Sequence, residues 1–275
     1  MIDLHCHILP AIDDGARSLD EAVGMCRAAA ADGCSALVAT PHQRRAGWWN
    51  CDRGDLAALR RALAQALARE LPELRILGGA EIHVDAQILA EVEELAAAAD
   101  KDAGTGVLPL AGSRYLLLEF AGGEAPEAAA DLVHELAVAG WRPILAHPEH
   151  IPWMAASLGA VERLVSLGAC CQVTAMSVTG DFGRRAQADT LRLIEAGLVH
   201  FVASDAHDLK RRPPGLARAR RAIAARWGEP LAAHLCETNP RAVIEDRPLP
   251  LSRTPPPLPR RSDPAAHPPS RGDGA

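Results

Sequence analysis

Short apolar runs alternate along this chain with longer stretches in which apolar residues recur at helical spacing. The runs are Ile2 to Cys6, Ala36 to Ala39, Arg75 to Leu77, Tyr115 to Phe120, Pro143 to Ala146, Cys171 to Thr174 and His200 to Ala203. Their length and apolar character predict buried strands, and the alanine-, leucine- and arginine-rich text between them predicts helices. The first helix is announced by "SLDEAVGMCRAAAADG". Ser18 stands at a capping position, Glu21 can reach back to its amide, and Gly33 ends the run. Alternation of strand and helix implies parallel strands, and seven units predict a barrel or a large open sheet. "DKDAGTG", near residue 100, predicts a loop inserted before the fourth strand.

The pattern stops near Arg247. From there the text reads "RPLPLSRTPPPLPRRSDPAAHPPSRGDGA", dense in proline and without apolar periodicity. Residues 1–246 are therefore expected to form one folded domain, and residues 247–275 a disordered Pro-rich tail, either simply solvated or a ligand for a proline-binding module. Composition narrows the picture further. With 48% hydrophobic residues in 275, a sizeable core is available. A formal net charge of -6 gives no general reason to bind nucleic acid or an anionic membrane, so any anion must be held by a local site. No apolar run is long enough for membrane insertion, and the N-terminus starts on a strand pattern rather than on a signal-peptide pattern. The cysteines show neither C-x2-C nor zinc-finger spacing, and none is followed by arginine in the C-x5-R arrangement of thiol phosphatases. These features predict a cytoplasmic protein with reduced thiols.

The ends of the predicted strands carry the chemistry. The first ends in "HCH" (His5, His7), with Asp14 following. The second ends in "ATPH" (His42) and the third in "GAEIH" (Glu81). The fourth holds Glu119 in "YLLLEF", the fifth leads to His147 in "AHPEH", and the seventh leads to Asp205 and His207 in "ASDAH". Only the sixth, "CCQVTA", lacks such a group. A single histidine at a strand end is ordinary, but a metal-seeking group at nearly every strand end is not. Parallel strands bring their C-terminal ends to one rim, where these side chains would meet. Alternation puts His5 and His7 on one side of their strand and Cys6 on the other, and it pairs Asp205 with His207 in the same way. So many ligands exceed the needs of one catalytic ion and suit two or three divalent ions with bridging carboxylates. Imidazole plus carboxylate favours Zn, Mn or Fe(II) over Mg or Ca. Three divalent ions set against four carboxylates leave a positive site, matched to a phosphate dianion. Neighbouring metals also activate water and clamp both the attacking and the leaving oxygen. Phosphoester hydrolysis is the reaction these groups point to.

"MIDLHCHILPAIDDGA", "ATPH", "GAEI", "YLLLEF", "AHPE" and "ASDAH…RRPP" together resemble the polymerase-and-histidinol-phosphatase (PHP) superfamily. Within it they are most similar to the bacterial tyrosine-protein phosphatases of capsule and exopolysaccharide loci. The resemblance runs from Met1 to about Glu245. It implies a distorted (β/α)7 TIM-like barrel and a trinuclear site, usually supported by manganese, with His5, His7, Asp14, His42, Glu81, Glu119, His147, Asp205 and His207 all on the family's ligand pattern. It further implies a phosphotyrosine substrate on the tail of a bacterial tyrosine kinase that controls polysaccharide synthesis, and assembly into homo-oligomers. Two arginines lie near the phosphate in that family. Arg212 in "KRRPP" matches one, with Arg211 adjoining it as the alternative contact. At the other position, after "AHPE", this chain carries His150, which can hold phosphate when protonated or give a proton to a leaving phenolate.

Other groups have expectations of their own. Trp48 and Trp49 are read either as a rim that stacks on the tyrosine ring or as a packing contact, and Arg44 and Arg45 either as a steering pair or as a solvated one. Glu149 is expected to support the ligands rather than join them. His83 and Asp85 are left outside the site. The competing readings are a histidinol-phosphatase-like phosphoesterase, an amidohydrolase-like enzyme and a non-catalytic metal-binding regulator of the kinase. The amidohydrolase-like reading often needs a carboxylated lysine, yet lysine occurs only at 101 and 210, away from any strand end.

Overall fold

A computed structural model describes residues 1–85, 87–97, 104–123 and 128–250. Among these described residues nine strands are present: β1 (Ile2–Cys6), β2 (Ala36–Ala39), β3 (His42–Gln43), β4 (Arg75–Gly78), β5 (Glu81–His83), β6 (Tyr115–Glu119), β7 (Arg142–Ala146), β8 (Cys170–Thr174) and β9 (Phe201–Ala203). All pair in parallel, in the orders β1-β2-β4 and β3-β5-β6-β7-β8-β9. The two strands beyond the expected number are continuations. Pro41 has no amide proton to donate and separates β3 from β2. Gly79 separates β5 from β4, and a Cβ there would come within 2.8 Å of Val38 Cγ1 and 2.9 Å of Leu110 Cδ2, so the backbone passes where a side chain has no room.

The two sheets meet along β1. Asp205 N donates to His5 O and His7 N to Ala206 O, each at 2.8 Å, so the chain just past β9 lies against the end of β1. The Asp3 carboxylate fastens the same seam by accepting from Ser204 N at 3.0 Å.

Two apolar layers result. Ile2, Leu4, Ala36, Val38, Tyr115, Leu117, Ile144, Ala146 and Phe201 form one cluster on the strands' inner face. Leu37, Ala39, Leu116, Leu118, Leu145, Val173 and Val202, at the alternate positions, join a larger cluster with helix residues such as Met25, Leu63, Val133 and Leu193. The first helix, Leu19–Ala31, starts as expected at Ser18, whose side chain accepts from Glu21 N. Glu21, however, turns to the backbone and guanidinium of Arg17 (both 2.9 Å) rather than to Ser18.

Most of "DKDAGTG" and residues 251–275 of the expected tail lie outside the described residues. The contacts of the folded part run on to Leu249, which packs partly buried against the inner cluster, while Arg247 O accepts from the Tyr115 hydroxyl at 2.8 Å. No described helix is long and apolar enough to cross a membrane.

Candidate metal centre

The inner face of each strand leads to the centre, but not by simple alternation. On β6 alternation suffices, and Tyr115, Leu117 and Glu119 share one row. On β1 the pairing with β2 shifts register between Asp3 and Cys6. Ile2 and Leu4 thus lie in the inner cluster and yet His5 and His7 also face the centre, while Cys6 joins the outer cluster. On β7 the inner residues are Ile144 and Ala146, so the next inward position would be 148. His147 reaches the centre by taking a left-handed backbone conformation (φ 34°, ψ 57°). Asp205 is left-handed as well (φ 52°). Non-glycine residues held there are strained, and such strain gathers at functional sites.

All the sequence-predicted ligand candidates come together. Four overlapping groups each place their ligand atoms within 4.8 Å of one another: His7, Asp14, His42 and His207; His5, His7 and Glu81; His5, His147 and Asp205; and His42, Glu81 and Glu119. All of them but His5 and His7 line a cavity of about 340 Å³, which Arg45, His150, Phe182 and Arg212 also line. Asp14 and the rest of its loop depend on Gly15, where a Cβ would lie 2.1 Å from His7 O.

The donor set fits divalent cations. His5 Nδ1 donates to Gln172 Oε1 at 2.8 Å and His7 Nδ1 to Asp13 Oδ2 at 2.7 Å. The Nε2 atoms, which those two bonds leave over, face each other across 3.2 Å. Glu81 Oε2, buried, lies 2.9 Å from His42 Nδ1 and 3.4 Å from each of them. Once these imidazoles give up their protons, lone pairs and a carboxylate crowded in this way need a cation among them. His207 repeats the arrangement: Nδ1 donates to Asp205 O at 3.0 Å and Nε2 is left without a hydrogen bond.

The ionisation states agree with this. Burial would raise the Glu81 pKa, but His5, His147 and His42 outweigh it and hold the carboxyl well below the usual range. Asp205 is pulled down against its burial by His5 and His7. Burial would depress His147, yet Glu81 at 2.7 Å raises it to about 9. Burial and the neighbouring His7 keep His207 low. Glu81 and Asp205 are thus ionised at neutral pH, and His147 holds a proton that a metal would displace.

Some supporting residues carried little signal in the sequence. Gln172, on the strand without a ligand candidate, orients His5, and its only signature is a polar residue on the inner parity of "CCQVT". Asp13, beside Asp14, accepts from His7 Nδ1 and from His42 N at 3.0 Å. Phe182 had no strand-end signal. It forms a wall between His150, whose ring it meets edge-on at 5.1 Å, and Arg212, whose guanidinium lies 5.9 Å from its centre.

The remaining candidates separate. Arg212 reaches the cavity and binds Asp205 Oδ2 at 2.5 Å, whereas Arg211 does not line the cavity. His150 also lines it, with Nε2 3.0 Å from Ser177 Oγ. Trp48 stacks on His42 at 5.4 Å, while Trp49 is 59% exposed over Arg44. Steering by an Arg44–Arg45 pair is corrected for Arg44, which is buried in ion pairs with Asp85 and Glu91. Arg45 alone faces the centre, 2.9 Å from His42 Nε2 and 3.1 Å from Glu119 Oε1. Glu149 accepts from Thr174 N at 2.8 Å and belongs to none of the four groups. His83 Nδ1 comes within 3.4 Å of Glu119 Oε2 without joining them.

Comparison with known proteins agrees with this geometry. The chain is 36% identical to the tyrosine-protein phosphatase YwqE of Bacillus subtilis (strain 168) over 264 residues, covering 95% of this chain and 98% of that protein. It is 29% identical to the tyrosine-protein phosphatase CpsB of Streptococcus pneumoniae over 252 residues, covering 90% and 99%. A crystal structure from the pair YwqE of Bacillus subtilis and CpsB of Streptococcus pneumoniae, described as metal-dependent tyrosine phosphatases, superposes with a TM-score of 0.84. Its identity is 32%, over 95% of this chain and 100% of that one. An organophosphorus hydrolase shares the general fold, with a TM-score of 0.53 at 13% identity. The family model "Capsular polysaccharide synthesis, CpsB/CapC" matches residues 1–245. The chain therefore belongs to the CpsB/CapC family of capsular polysaccharide synthesis.

Proposed function

We propose that this protein is a metal-dependent protein-tyrosine phosphatase acting in the cytoplasm on the phosphorylated tail of a bacterial tyrosine kinase of capsule or exopolysaccharide synthesis. The observation that carries the reading is the set of four overlapping ligand groups on one cavity, with Arg212 at its edge. His5, His7, Asp14, His42, Glu81, Glu119, His147, Asp205 and His207 would hold two or three divalent ions, manganese first, with iron or zinc able to replace it. We read the two sheets, joined at β1, as one distorted (β/α)7 barrel, which explains why these groups converge.

When bound, such ions lower the pKa of water and offset the charge on the transferring phosphoryl oxygens. The chain's own residues do the rest. Gln172 and Asp13 fix the tautomers of His5 and His7, so that Nε2 of each stays an acceptor. Arg212 is already within reach of the cavity and binds the phosphate dianion. His150, held by Ser177, stands where the resemblance expects an arginine. It either hydrogen-bonds a phosphate oxygen or delivers a proton to the leaving phenolate. Phe182 gives the tyrosine ring an apolar wall, and Trp48 backs His42 at the rim. No thiol takes part: Cys6 donates to Val38 O at 3.3 Å, turned away from the centre, and burial pushes its pKa well up.

The reading is tested by metal analysis of the purified protein together with hydrolysis of a phosphotyrosine peptide, a phosphoserine peptide and histidinol phosphate. Tightly bound divalent metal and a clear preference for phosphotyrosine are expected. Preference for histidinol phosphate would move the protein to the other PHP phosphoesterases. Bound metal without turnover of any of the three would leave a non-catalytic regulator.

A further inference from the structure

A second depression, about 780 Å³, opens beside the metal cavity and shares Asp14 and His207 with it. Its far side is the loop after β9, which carries Leu209, Lys210 and Arg211. This loop is braced. Asp208 Oδ1 accepts the amides of Lys210 and Arg211 at 2.6 and 2.5 Å, and His207 N donates to Arg212 O at 2.9 Å. The side chains of Lys210 and Arg211 therefore project from a fixed turn. Both are exposed, and neither makes an ion pair among the described residues. The acidic groups that line it are engaged elsewhere: Asp14 with His42 and His207 at 3.3 Å, Glu21 with Arg17 at 2.9 Å, and Asp208 with the backbone of its own turn. Two exposed cations without an ion pair among the described residues thus flank the cavity on a chain whose formal net charge is -6.

We propose that this depression is a flanking subsite that recognises an anionic side chain next to the phosphotyrosine in a peptide substrate. The inference rests on the phosphatase reading above and adds to it the class of peptide preferred. An extended peptide rises about 3.3 Å per residue, so a neighbour of the phosphotyrosine in sequence leaves the metal cavity across the Asp14–His207 edge and enters the depression. A carboxylate or a second phosphate there meets Lys210 and Arg211. Because the turn is braced by Asp208, little ordering cost opposes the contact. Exposed charges of this kind act on encounter and on KM, and salt weakens them.

The test compares kcat/KM for phosphotyrosine peptides identical except at the flanking positions, which carry Glu, Gln, Lys or a second phosphotyrosine, with p-nitrophenyl phosphate as a substrate that has no flank. Wild-type protein is expected to favour Glu over Lys flanks by roughly tenfold at low salt, through KM, with the ratio shrinking as salt rises. Lys210→Glu should erase or reverse that ratio while leaving p-nitrophenyl phosphate turnover unchanged. A gain with the doubly phosphorylated peptide beyond that with Glu identifies phosphate as the better occupant, and equal gains identify any carboxylate. Equal rates for Glu and Lys flanks in the wild type, or a ratio untouched by Lys210→Glu, would overturn the subsite and leave the phosphatase reading standing. Failure to hydrolyse any of the peptides would overturn both.

Discussion

At the N-terminal ends of the strands, Ile2, Tyr115, Ile144 and Phe201 meet in an apolar cluster. Further along the same strands, His5, Glu119, His147 and Asp205 gather in the groups that could hold metal ions. The first region stabilises the fold simply by leaving water, and its contacts need only shape. The second gathers buried carboxylates and imidazoles in which a metal would take the place of protons, and it holds His147 and Asp205 in left-handed conformations. Stability resides at one end of the strands and strain at the other. One strand can therefore lose its chemistry without losing its fold, or the reverse.

Changes at the strained end should be the largest in activity. His5→Ala and Asp205→Ala are each expected to lower kcat about a thousandfold, the scale of a lost transition-state charge contact or more, while far-ultraviolet circular dichroism stays native. Chelation should do the same to the wild type, and Mn should restore it. Near-wild-type activity in either variant with added Mn would remove that residue from the ligand set. Cys6→Ser and mild thiol alkylation should change little, because that sulfur faces the outer layer.

Next in size is Arg212→Ala, expected to lower kcat/KM on a phosphotyrosine peptide by roughly ten- to a thousandfold, with Arg211→Ala doing less. The reverse order would move the phosphate contact to Arg211. At the apolar end, Phe201→Ala should cost about 3–5 kcal/mol of stability in denaturant titration, while the fraction that remains folded keeps the wild-type kcat. Loss of kcat per folded molecule would show that the two ends are coupled.

A smaller effect is expected at His200, which precedes β9 at the apolar end. Its Nδ1 accepts from Cys171 N at 3.0 Å, and burial pushes its pKa down to about 4. Between its unfolded value near 6.5 and that folded value, only the unfolded chain takes up the proton. Stability should therefore be full above about pH 6.5 and fall as pH drops toward 4, by about 2–3 kcal/mol. His200→Asn should flatten this part of the pH profile, and an unchanged slope would assign it to other groups. Smallest of all, removing residues 251–275 should leave kcat and melting temperature nearly unchanged, as their proline-rich composition leads one to expect. Cutting after Arg247 also removes Leu249 from the inner cluster and should cost about 1 kcal/mol.

Sequence by itself determined the parallel α/β pattern and the identity of the groups that converge, because strand ends and metal-seeking residue types are local and periodic properties. Tertiary structure decided how those groups are aimed. Alternation accounts for Glu119, but His5 reaches the centre through a register shift against β2, and His147 through a left-handed residue after β7. Neither is visible in a pattern of apolar positions, since both arise from pairing and backbone strain. Gln172 and Asp13 were equally hidden, because orienting an imidazole takes an oxygen at one distance and angle rather than a characteristic spacing. Two of the chain's adjacent arginine pairs show the same division. Nothing in "RR" tells buried Arg44 from Arg45 at the centre, or exposed Arg211 from Arg212 at the cavity, until packing turns one side chain in and leaves its neighbour out.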